Sequence, residues 1–159
     1  MPRKASQEQS IRHEHVQLTR SELMARVRSK NTGPELLVRR ALWAAGIRYR
    51  LHYKNLPGCP DLVLAGQRTV VFVHGCFWPR HDGCPRNRTP KSRVEWWTAK
   101  FARNTDRDAE ARALLEASGW RVLVIWECEA ERTECLAVLI AELEALRSKA
   151  IPKHYPNAH

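Results

Sequence analysis

Apolar positions in this chain follow a helical period, then a strand period, then a helical one again. Leu23 and Val27, four residues apart, predict a short helix over 19–28. Thr32-Gly33-Pro34-Glu35 reads as a helix start with proline near the first helical position. That helix runs to about Ala45 and stops at Gly46, with Val38 and Leu42 on its inner face. From Ile47 to Tyr53 the pattern alternates: Ile47, Tyr49, Leu51 and Tyr53 are separated by Arg48, Arg50 and His52. This period of two predicts a strand with one buried and one basic face. After a turn at Leu56-Pro57-Gly58 come two almost wholly apolar strands, 61–65 and 69–74, joined by the hairpin-length Gly66-Gln67-Arg68. Strands buried on both faces belong in the middle of a sheet. An irregular stretch over 75–91 precedes a helix from about Arg93 to Ala117, a strand over 120–126 and a closing helix over 131–147. Leu136, Leu139, Leu143 and Leu146 give the last helix its core stripe. The order α-β-β-β-α-β-α predicts one α/β domain, a mixed central sheet flanked by helices, over 19–148, with polar tails at 1–18 and 149–159.

Composition narrows the class. The 159 residues are 43% apolar and 28% charged, an ordinary globular balance. The longest apolar runs, such as 70–73 and 122–126, fall far short of the ~18 residues of a membrane span. The opening MPRKASQEQS holds no apolar leader core, so a cytoplasmic protein with no membrane partner is expected. The net charge is +10, and it is uneven: residues 1–104 carry 20 basic and 7 acidic side chains, residues 105–159 carry 7 and 10. Such a surplus reads as a basic face for nucleic acid, or more plainly as a solubilising excess.

Five cysteines, an odd number without a leader, argue against a disulfide framework. Cys76, His81 and Cys84 are spaced as C-x4-H-x2-C in a stretch rich in Gly, Pro and Arg. Three soft ligands want a fourth for tetrahedral Zn2+, from among Cys128, Cys135 and Cys59. Cys135 lies four residues before Leu139 on an apolar helical side, which favours packing. Asp61 follows Pro60 at the head of an apolar strand, where a carboxylate suits a hard divalent cation; the plainer alternative is a turn aspartate. Glu35 shares a helical stripe with Val38 and Leu42, or serves as a first-turn acid. His74 ends the third strand on the same face as Phe72, with Val73 pointing the other way.

A Pro-Asp carboxylate followed by a third-strand motif is the layout of the restriction-endonuclease-like core, although Phe72-Val73-His74 stands where E-x-K is usual. The segments MARVRSKNTGPE (24–35), LPGCPDLVL (56–64), VVFVHGCFW (70–78), EWWTAKFARNTDRD (95–108) and GWRVLVIWEC (119–128) together resemble the very-short-patch-repair (Vsr-type) endonucleases over roughly 19–148. The resemblance implies a bacterial, nucleoid-associated DNA repair enzyme that acts on double-stranded DNA. Its substrate would be the T:G mismatch left when 5-methylcytosine deaminates, nicked 5′ of the mispaired T. It would act as a monomer, in functional association with a cytosine-5 methyltransferase and mismatch-repair proteins. By position, Asp61 and the backbone carbonyl of Val73 would hold catalytic Mg2+, with Glu35 and His74 as catalytic partners. Cys76, His81, Cys84 and Cys128 match structural zinc ligands. Phe77, Trp78, Trp97 and Met24 match side chains that wedge into the DNA beside the mismatch. A blander reading leaves only Trp97 for DNA and packs Trp96 in the core. Trp120 and Trp126, at either end of a buried strand, read as structural.

One position departs from the resemblance. The family usually reads HGCFWH, its last histidine acting on the attacking water, and this chain has Pro79 there. Proline cannot exchange a proton, and loss of one general acid or base commonly costs about 10²–10⁴-fold. Two outcomes are open: a metal-dependent nuclease with altered proton transfer, or a zinc-stabilised mismatch-binding protein with an inactive nuclease site.

Overall fold

Thr32 caps the first helix with its hydroxyl and Pro34 follows at its start, so α1 spans Gly33–Ala44. It ends where Gly46 turns left-handed (φ 72°) and Ile47 N–H reaches back to the Leu42 carbonyl. The computed structural model describes residues 30–77, 81, 83–86 and 91–149. The predicted helix over 19–28, both tails, Met24, Trp78 and Pro79 lie outside the described residues.

Four strands form one sheet in the order β1-β2-β3-β4: β1 is Arg50–Leu51, β2 Leu62–Leu64, β3 Thr69–His74 and β4 Arg121–Trp126. The first two pairings are antiparallel, and β3–β4 is parallel with Val71 opposite Leu123 and His74 opposite Trp126. A parallel pair needs a crossover, supplied by α2, Val94–Ala117. After β4 come a short α3, Glu127–Ala130, and α4, Thr133–Lys149.

Alternation along the strands sorts side chains into two cores. Leu62, Leu64, Val71 and Ile125 pack with Val38 and Leu42 of α1 and Leu139 and Leu143 of α4. Val63, Val70 and Val122 pack with Leu115 of α2 on the opposite face. The mixed sheet thus lies between helices, as the order of elements predicts, with β2 and β3 central. Leu42, Leu62, Leu115 and Leu143 are fully buried, and truncating any one to alanine would cost about 2–5 kcal/mol. Gly58 (φ +70°) is required by the turn before β2: an added Cβ would lie 2.9 Å from the Ala111 Cβ and 3.2 Å from the Phe72 ring.

Three expectations are corrected. The strand predicted over 47–53 shrinks to two residues, because His52 is left-handed (φ 45°) and turns the chain off the pleat. Ile47 is buried as expected, but Leu51 is 37% exposed. The helix α3 is unforeseen; it forms where the Trp126 N–H donates to Glu129 Oε2 at 2.9 Å. The closing helix accordingly starts at Thr133 rather than Glu131.

Candidate active site and metal centre

Glu35 is buried because it has two tasks in its helix. As the third residue of α1 it closes the cap: the Thr32 hydroxyl donates to Oε1 at 3.1 Å and the Asn31 N–H to Oε2 at 2.8 Å. Those bonds aim the carboxylate at the head of β2. There Asp61 Oδ2 accepts the Val73 N–H at 2.8 Å. In an extended strand a residue's N–H and C=O leave the same edge, so the Val73 carbonyl borders the same carboxylate. The third member is His52, whose backbone N–H donates to the Asp61 carbonyl at 3.2 Å. The ligand atoms of Glu35, His52 and Asp61 all lie within 4.8 Å of one another.

Burial raises the Asp61 pKa above the ordinary carboxylate value; the Val73 N–H opposes the shift and the facing Glu35 charge adds to it. Two carboxylates crowded in a half-dry site are what a cation would relieve. Oxygen donors of this kind fit a hard divalent ion.

Asp61 and His52 border a cleft of about 710 Å³ that is also lined by Lys30, Lys54, Lys100 and Arg107. His74 lines the same cleft but is not part of the three-residue cluster. It points to the α2 side with Phe72, as the alternation of β3 predicts, and its ring meets Phe72 edge-on at 5.8 Å and Trp126 at 5.3 Å. Burial lowers its pKa, partly offset by Asp108 and reinforced by Arg112, so the ring is neutral at neutral pH.

The soft-ligand cluster forms as well. Cys76, His81, Cys84 and Cys128 bring their ligand atoms within 4.8 Å of one another, and Cys128 Sγ lies 3.4 Å from His81 Nε2. Neither Cys59 nor Cys135 belongs to it. Burial is the largest of the effects that push the Cys76 thiol up to about 12. Three thiols and one imidazole are a donor set for Zn2+. Arg86 ties this loop to the residue after α3 through a two-pronged pair with Glu131, at 2.9 and 2.6 Å, and lies 3.7 Å from Glu127 of α3.

Trp126 touches both regions, stacked on His81 at 4.3 Å and edge-on to His74. Phe77 is half-buried, edge-on to Trp97 at 5.6 Å and to Phe101 at 5.8 Å. Trp97, half-buried, and the buried Phe101 lie four apart on one side of α2. Trp96 is 48% exposed instead of packed in the core, with Lys100 Nζ 4.7 Å over its ring.

Sequence reasoning misses His52 by assigning it to the solvent-facing basic side. The register holds a signal that finds it: extending the pairing of Leu51 with Leu62 by one step sets His52 across from Asp61. The basic lining Lys54, Lys100 and Arg107 is likewise scattered over separate elements and converges only in the fold.

Comparison with known proteins matches residues 13–86 to the family model described as DNA mismatch endonuclease Vsr. The type II nicking enzyme V.XorIIP of Xanthomonas oryzae pv. oryzae is 53% identical over 107 residues, covering 67% of this chain and 78% of the relative. The type II nicking enzyme V.NmeAIP of Neisseria meningitidis is 46% identical over 110 residues, 69% of this chain and 78% of the relative. The DNA mismatch endonuclease Vsr of Escherichia coli is 38% identical over 114 residues, 72% of each chain.

Proposed function

The chain belongs to the Vsr family of DNA mismatch endonucleases, and from that premise we propose that it nicks double-stranded DNA at T:G mismatches, immediately 5′ of the mispaired T, with Mg2+. Such mismatches arise when 5-methylcytosine deaminates. The observation that carries this reading is the meeting of Glu35 of α1 with Asp61, just before β2, beside a cleft lined by four cationic side chains.

Each part of the site has a task. Lys30, Lys54, Lys100 and Arg107 bind backbone phosphates, which supplies salt-dependent affinity without sequence information. Asp61 and the Val73 carbonyl would hold Mg2+, with Glu35 fixed across from them by its two cap donors. A divalent ion held there by these residues would lower the pKa of water and stabilise charge on the phosphate. His74, neutral through burial, offers one unprotonated ring nitrogen to accept a proton. Cys76, His81, Cys84 and Cys128 would hold Zn2+ in a closed set with no open position, a structural role. Phe77, Trp78, Trp97 and Met24 are the proposed wedge beside the mismatch, where a weakened stack is cheapest to open. Trp78→Ala should therefore reduce discrimination between T:G and T:A duplexes more than it reduces matched-duplex affinity. Equal weakening on both in a binding titration would remove Trp78 from the wedge.

Pro79 favours a second reading, a mismatch-binding protein without nuclease activity, and single-turnover nicking of a T:G duplex in saturating Mg2+ separates the two. Wild type nicks measurably, and Pro79→His raises the rate toward the ~10²-fold of a positioned acid or base. Pro79→Ala, which frees the backbone without adding a titratable group, does not. No nicking by any of the three, with T:G binding retained, would overturn the enzymatic reading for this chain.

A further inference from the structure

The carboxylate cluster contains a nitrogen that an all-oxygen Mg2+ site has no use for. His52 Nε2 is fully buried and, with Gln67 Oε1, is one of two buried side-chain polar atoms without a hydrogen-bond partner among the described residues. Leaving such an atom unsatisfied is costly. Its nearest charged neighbour is Glu35 Oε2 at 3.9 Å, too far for a hydrogen bond. The separation is instead that of two donors sharing one ion, since ligands at ~2.0–2.2 Å from a metal stand ~3–4 Å apart.

The backbone holds His52 for this position. Its φ of 45° lies in the left-handed region, uncommon for a residue with a side chain and often found where a site over-determines the backbone. Its N–H is bonded to the Asp61 carbonyl, so the histidine and the aspartate are fixed to each other. The two carboxylates are oriented independently, Glu35 by Asn31 and Thr32, Asp61 by Val73. Preset outer partners of this kind accompany metal ligands.

Resting on the metal-dependent reading above, we infer that His52 is a nitrogen ligand of the ion held by Glu35 and Asp61, and that the site prefers first-row transition cations, Mn2+ included, to Mg2+. Imidazole adds affinity for ions of the Mn2+ to Zn2+ series, whereas Mg2+ gains little from nitrogen; Mn2+, the weakest binder of that series and the nearest to Mg2+ in its liking for oxygen, is the most demanding test of the preference.

Mn2+ itself is the probe, added to zinc-loaded protein so that His81 is already engaged. Electron paramagnetic resonance should show one bound Mn2+ per chain, displaced by Mg2+ only at about tenfold or greater excess, and electron spin-echo modulation should show a directly coordinated imidazole ¹⁴N. Labelling the protein with ¹⁵N-histidine should convert that modulation to ¹⁵N, a test that needs no variant. His52→Gln should abolish the nitrogen coupling and weaken Mn2+ binding by at least the ~10–100-fold typical of losing an outer partner. Failure of Mn2+ to bind, bound Mn2+ without nitrogen coupling, or coupling retained in His52→Gln would each overturn the inference. Mg2+-dependent nicking alongside such a failure would leave the proposed function standing, and nitrogen coupling in a protein that never nicks would do the reverse.

Discussion

Asp61→Asn lowers Mg2+-dependent nicking of a T:G duplex by at least about 10²–10³-fold, the loss that follows removal of one electrostatic group from a preorganised site. The substitution is close to isosteric, and the remaining amide oxygen can still accept the Val73 N–H that Oδ2 accepts now. What disappears is the negative charge opposite Glu35. In protein without a divalent ion that charge is unfavourable, since burial and the neighbouring carboxylate both work against it. The thermal midpoint of Asp61→Asn in EDTA should therefore equal or exceed that of wild type. Duplex affinity should change little, because the cations lining the cleft are untouched. Wild-type-like nicking by Asp61→Asn would remove it from the metal site, and a lowered midpoint would mean that the fold, not the chemistry, had failed.

The second large effect concerns Zn2+. Protein purified without chelator should contain one Zn2+ per chain, and stripping it should lower the thermal midpoint by on the order of 10 °C. That follows from a loss of a few kcal/mol at about 2–4 °C each for a domain of this size. Without the ion, three thiols and an imidazole crowd one another with no common partner, and the buried Cys76 thiol stays protonated. The ligands join the end of β3, the loop carrying His81 and Cys84, and α3; Arg86 of that loop adds an exposed pairing with Glu127 and Glu131. Exposed ion pairs contribute little. Trp126 would carry the disorder toward His74, because it stacks on the zinc-side His81 and contacts His74 edge-on. Metal analysis that finds no zinc, or a midpoint indifferent to its removal, would contradict this role.

How much of this is legible in the sequence depends on whether the signal is local. The cap Thr32 with Pro34 and the apolar strands β2 and β3 read correctly because each is written in neighbouring residues. The fourth soft ligand is a different case: spacing alone leaves it open, with Cys135 on an apolar helical side, the resemblance points to Cys128, and the parallel pairing of β3 with β4 brings Cys128 beside Cys76. His52 is hidden for another reason. Strict alternation assigns it to solvent, and a single left-handed residue breaks the period that the assignment relies on. Trp96 and Trp97 differ by one helical step of about 100°, so the choice of inner ring rests on where α2 begins. Left-handed Arg93 marks that start, and the structure leaves Trp97 half-buried and Trp96 exposed.

End-labelled duplexes differing in one pair, T:G against T:A, incubated with wild-type protein in Mg2+ or EDTA, test the nuclease most directly. The expected product is a single nick immediately 5′ of the mispaired T, present on T:G in Mg2+ and absent both on T:A and in EDTA. Equal cutting of the two duplexes, cutting of T:G in EDTA, or no cutting at all would contradict it.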